Sequence, residues 1–92
     1  MNSELYQEKK QYERFISNLN TCYNKLESNY SNLLLCEKNL IGLLQKNDEC
    51  YDSSSFSNII DSIEKEKNMI VSKFLPQAKY QYNEILHQIE KL

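Results

Sequence analysis

Residues 5–44 read LYQEKKQYERFISNLNTCYNKLESNYSNLLLCEKNLIGLL, and each seventh position of the stretch is apolar or aromatic: Leu5, Tyr12, Leu19, Leu26, Leu33 and Leu40. Three residues after each come Glu8, Phe15, Cys22, Asn29, Cys36 and Leu43, and four after each come Lys9, Ile16, Tyr23, Tyr30, Glu37 and Leu44. Alternating steps of 3 and 4 held over this many heptads specify a long helix whose stripe faces another helix with left-handed crossing. The spacing predicts helix 1 from about residue 3 to about residue 49, roughly 70 Å at 1.5 Å per residue. Gly42 lies inside it and weakens it by about 1 kcal/mol, which packing by Leu40, Ile41, Leu43 and Leu44 can override.

Outward from that stretch, KNDECYDSSSFSN at residues 46–58 breaks the period and concentrates Asn, Asp and Ser, so the chain turns there, at about 50–54. Asp52, Ser53, Ser54 and Ser55 are all competent N-caps for a second helix running over about 55–92. Its stripe reads Phe56, Ile60, Ile63, Lys67, Ile70, Phe74, Ala78, Tyr82, Ile85, Ile89 and Leu92. Two consecutive steps of four, from Ile70 to Ala78, form a stutter, and Pro76 falls within it. Proline removes a backbone donor and clashes with the preceding turn, so either a kink forms near Ser72–Leu75 or Pro76 opens a third short helix. The stripe continues on one side beyond the proline, which favours the kink.

The fold class is therefore all-α. One domain over residues 1–92 is an antiparallel two-helix hairpin, helix 2 kinked near Pro76, that packs with a partner into a helical bundle. A single glycine and a single proline in 92 residues leave too few turn residues for a β architecture. Eleven Lys and Arg against thirteen Asp and Glu, spread along the chain, give a net charge of -2 and no basic surface for nucleic acid. No apolar run reaches the roughly 18 residues of a membrane span, and the first residues lack the charged-then-apolar order of a signal peptide. A cytoplasmic protein without membrane insertion is expected, with any export following a signal-peptide-independent route.

Chemistry-bearing residues are sparse. Cys22, Cys36 and Cys50 recur every fourteen residues, so on a continuous helix they share one stripe, about 21 Å apart, and cannot converge on a metal ion. They read as small core hydrophobes, with Cys50 the best placed for a disulfide between chains. His87 is the sole histidine; Glu84-x-x-His87 has the spacing used in di-metal bundles, but the further carboxylates such a site needs are missing. Glu4 with Glu8 and Glu64 with Glu66 have no pocket to shift their titration. No catalytic residue, metal or cofactor is expected. Lys67 stands at a seam position, where lysine specifies partner or register, and Asn29 is placed to do the same on helix 1. Tyr12, Tyr23, Tyr30 and Tyr82 lie on or beside the stripes, suited to core packing or to a protein-binding surface.

Adjacent apolar pairs, Phe15 with Ile16, Cys22 with Tyr23, Leu43 with Leu44 and Ile59 with Ile60, make each stripe too wide for one neighbour. Docking against a further helical chain would cover the excess. The candidate partner-binding residues are Leu5, Tyr12, Phe15, Leu19, Leu26, Leu33 and Leu40 on helix 1, with Ile60, Ile63, Ile70 and Phe74 on helix 2.

In size, layout and pattern the whole chain resembles the small helical-hairpin proteins of Gram-positive type VII secretion, the WXG-type proteins and the small partners of LXG toxins. Tyr80-Gln-Tyr-Asn-Glu84 on helix 2 matches the Y-x-x-x-D/E secretion signal of that group, as does Tyr23-Asn-Lys-Leu-Glu27 on helix 1. No W-x-G stands at the turn, where Leu40-Ile41-Gly42 and Phe56 come nearest, so the resemblance is to the WXG-lacking toxin partners. It implies a non-enzymatic targeting factor that binds the N-terminal helical domain of a toxin, alone or with a second small helical protein. Tyr80 and Glu84 would then form the export signal. A homodimeric coiled-coil scaffold or regulatory adaptor without an export role is the competing expectation. A metal or redox bundle built on Glu84, His87 and the cysteines is a third.

Overall fold

The computed structural model describes residues 2–47, 49 and 54–92, almost all of them helical and none in a strand. Helix α1 spans Asn2–Lys46, α2 spans Ser54–Met69, and α3 spans Leu75–Glu90. Between α2 and α3 lies a π-helical turn, Ile70–Phe74. Of the turn expected at about 50–54, residues 50–53, with Cys50 and the capping candidates Asp52 and Ser53, lie outside the described residues, while Ser54 already opens α2.

Glu4 in the first turn of α1 and Lys46 in the last complement the helix dipole. The helix closes when the Glu49 N–H donates to the Leu44 carbonyl at 2.9 Å and the Asn47 side-chain amide donates to the Leu43 carbonyl at 3.1 Å. These donors satisfy carbonyls that a helix end leaves without partners, and they stop α1 three residues short of the expected position 49.

The second arm runs back along the first. Lys67 meets Glu27 near the middle, and Tyr82 meets Glu13 towards the far end. The result is an antiparallel, hairpin-like rod with principal extents of 71 × 15 × 13 Å. The buried side chains among the described residues, Ile63, Ile70, Leu75, Ala78 and Ile85, all come from the second arm. Facing them on α1 are half-buried residues of the seven-residue series and of the line four residues on, including Ile16, Tyr23 and Tyr30.

Two expectations are corrected. The stripe does not run through Phe74: the buried position is Leu75, at 8% exposure, while Phe74 is 38% exposed. The apparent pair of fours from Ile70 to Ala78 is instead a five and a three, because the π turn inserts one residue. Its Leu75 N–H donates to the Ile70 carbonyl, five residues back. The dihedral angles of Met69, Phe74 and Leu75 all stay right-handed helical, so the backbone is not broken at Pro76, which sits in the first turn of α3. A wider turn immediately before proline eases the clash of its ring with the carbonyl four residues earlier.

The second correction concerns the cysteines. Cys22 and Cys36 are exposed and do not fill the core, because α1 turns the line three residues after each heptad position away from the second arm. Asn29, on that same line, is exposed too and cannot set the hairpin's register.

Candidate protein-docking face

The four adjacent apolar pairs are split by the fold, and always in the same sense. Ile16, Tyr23, Leu44 and Ile60 are half-buried in the seam, while Phe15, Cys22, Leu43 and Ile59 are exposed. Phe15 retains 47% of its surface, Leu43 58% and Ile59 48%, so about half of each finds no cover within the chain. They gather on one flank of the hairpin.

A groove runs along that flank. Its widest part, about 640 Å³, is floored by Leu19, Cys22 and Leu26 of α1 and by Met69, Ile70 and Phe74 of the second arm. Lys25, Lys65 and Glu66 stand around it. Towards the N-terminus of α1 further shallow depressions follow at Phe15 and Phe74, then at Tyr12 and Glu8, and towards the other end a separate one lies at Leu33, Cys36, Ile59 and Ile63. From Glu8 to Cys36 the valley follows α1 for roughly 40 Å at 1.5 Å per residue. The π turn contributes directly, because the inserted residue rotates Phe74 out of the seam and into the groove wall.

Of the residues expected to bind a partner, Phe15 and Phe74 are the exposed ones. Ile63 and Ile70 are buried in the hairpin itself. Leu5, Tyr12, Leu19, Leu26, Leu33, Leu40 and Ile60 are half-buried, and of these Tyr12, Leu19, Leu26 and Leu33 also line the groove. Met69, Lys25 and Lys65 were not singled out by spacing. They belong to the face because of where the π turn and the rotation of α1 put them.

Inside the seam, Lys67 is explained. Its Nζ ion-pairs with Glu27 across the helices and with Glu64 at 3.3 Å, and lies 4.9 Å from the centre of the Tyr30 ring and 5.7 Å from that of Tyr23. Only 12% of its side chain is exposed. The hydrogen bond from Lys67 holds the Glu27 carboxyl below its ordinary range, and the same bond holds the Lys67 ammonium above its own. Tyr82 donates its hydroxyl to Glu13 Oε1 at 2.9 Å, which raises the phenol, and Glu13 also pairs with Lys9 at 3.6 Å. Two polar clasps therefore fix the register between the arms, and Tyr23, Tyr30 and Tyr82 belong to them.

Tyr80 and Glu84 are both exposed, one turn apart on the outer side of α3. His87 is exposed as well, 3.9 Å from Glu90. Among the described residues no group of three His, Cys, Asp or Glu side chains is placed to hold a metal ion, and no helix is long and apolar enough to cross a membrane. No protein family, curated protein or solved structure matches the chain.

Proposed function

We propose that this chain is a non-enzymatic binding protein: a small helical partner that docks on the N-terminal helical domain of a type VII-secreted, LXG-type toxin and helps direct it to the export machinery. The observation that carries the reading is the apolar valley along one flank, with Phe15, Ile59 and Phe74 exposed on it. Soluble monomers rarely leave a contiguous apolar face of this kind open unless a partner covers it. The resemblance in length, layout and turn position supplies the class of partner, and the outward placement of Tyr80 and Glu84 suits an export signal read by other proteins. Binding and targeting are separate roles on separate faces: the groove lies between the arms, whereas Tyr80 and Glu84 project from α3.

The test is affinity capture of the tagged chain from its native host, with sequencing of what is retained. A long protein beginning with an LXG-like helical domain is expected, lost on Phe15→Ser with Phe74→Ser, and retained but no longer exported on Tyr80→Ala with Glu84→Ala. A tight homodimer that retains no such protein would overturn the reading in favour of a self-associating scaffold.

A further inference from the structure

We infer that the groove is the seat of a single amphipathic helix from another protein, one whose apolar stripe is bordered by Asp and Glu. This rests on the proposed binding role and specifies the chemistry of the surface that fills the site.

The shape argues for a helix. The valley follows α1 for several turns and, from Phe15 to Cys36, is walled by both antiparallel arms. Its α1 floor residues, Leu19, Cys22 and Leu26, repeat at steps of 3 and 4, the hole pattern that accepts knobs from a neighbouring helix. Phe74 and Met69 opposite them supply the bulk that anchors such contacts.

Charge argues for the identity of the border. Beyond the floor, the outer rim of α1 presents Gln11, Asn18, Lys25, Asn32, Asn39 and Lys46, all exposed and none acidic. Across the groove Lys65 faces the same widest part as Lys25, with Glu66 the one carboxylate there. Towards α3 the wall is neutral, with Gln77 and Gln81. Two lysines against one glutamate in the widest part, with Glu8 only at the far N-terminal end of the groove, favour carboxylates on a helix seated at its centre and disfavour a second copy of this chain. Flank-to-flank pairing of two copies would bring four lysines against two glutamates, a net positive charge, to the centre of the contact.

A labelled synthetic helix with a leucine stripe bordered by glutamates, and its twin bordered by lysines, provide the test by fluorescence anisotropy. At low salt the glutamate form is expected to bind about tenfold more tightly than the lysine form, the difference shrinking as salt is added. Lys25→Glu with Lys65→Glu should invert the preference, and Phe74→Ser should weaken both by about tenfold with unchanged helical circular dichroism. In the unaltered chain the glutamate peptide should slow alkylation of Cys22. Equal affinity for the twins, no binding of either, or Cys22 alkylated at the same rate with peptide would overturn the inference, as would a tight homodimer in sedimentation that protects Cys22. The two proposals fail separately. A captured toxin indifferent to Lys25→Glu with Lys65→Glu removes the acid-bordered helix and leaves the binding role. Selective peptide binding without an LXG-like partner does the reverse.

Discussion

Lys67 occupies a position that the heptad pattern reserves for an apolar side chain, and its surroundings show how a charge is tolerated there. The Tyr23 and Tyr30 rings face its ammonium, while Glu27 and Glu64 neutralise it at the edge of the seam. The titration shifts fix the sign of a pH effect. Glu27 is lowered from 4.5, so the stabilisation it provides is complete above that value and is lost as pH falls through the lowered one. Lys67 is raised from 10.5, so its share is complete below that value and lost as pH rises through the raised one. Glu27→Gln should therefore lower the melting temperature by a few degrees at neutral pH, and the two melting curves should converge in strong acid. A gap between wild type and variant that persists unchanged into acid would show that Glu27 acts by packing and not by charge. That Lys67 sits in the seam was legible from the spacing of the sequence. Its partners were not, because matching it to Tyr23, Glu27 and Tyr30 needs the register between two helices, which periodicity along one helix does not contain.

At the scale of elements the π turn decides which residues face inward. With it, the buried and half-buried line runs Ile60, Ile63, Lys67, Ile70, Leu75, Ala78, Tyr82, Ile85 and Ile89, alternating 3 and 4 except for the single step of five. Removing one residue from the turn would make that alternation perfect. Deletion of Val71 should give an uninterrupted α-helix that keeps α3 in register but strands Pro76 in a regular interior, where proline costs about 3 kcal/mol. Pro76→Ala should then recover close to that amount in the deletion chain and much less in the natural one, as measured by urea unfolding. Equal gains in both backgrounds would show that the π turn does nothing to accommodate the proline. The sequence displays the irregularity as a stutter beside a proline, so its location could be read, but a stutter and a one-residue insertion leave the same apolar letters. Choosing Leu75 over Phe74 required the packed helices. The same limit explains the cysteines, since both flanking lines of α1 are apolar enough to be buried and the second arm covers only one.

Across the whole molecule, surface is large for mass. The chain exposes 7116 Å², whereas a compact monomer of 11.0 kDa exposes about 5600 Å². Its radius of gyration is 20.7 Å against about 12 Å for a globular chain of this length. The excess, about 1500 Å², is nearly twice the area that one partner contributes to a standard protein interface. A rod with a single narrow seam has few buried side chains to offset the entropy of ordering two long arms, so its stability should depend strongly on whether the groove is filled. Alone, the chain should melt at a low temperature that does not change with protein concentration, because no second copy is required for the seam. A helical partner at a hundred times its dissociation constant adds about 2.7 kcal/mol, which for a domain this small raises the midpoint by roughly 10–20 °C. Differential scanning calorimetry of the chain with and without that partner measures both quantities. Phe74→Ser, with its tenfold loss of affinity, should remove about half of the increment while leaving the free chain's midpoint nearly in place, since Phe74 faces the groove and not the seam. A free chain that already melts high, and that a bound helix does not raise, would mean that the flank is tolerated exposed surface and that the excess area has no bearing on binding.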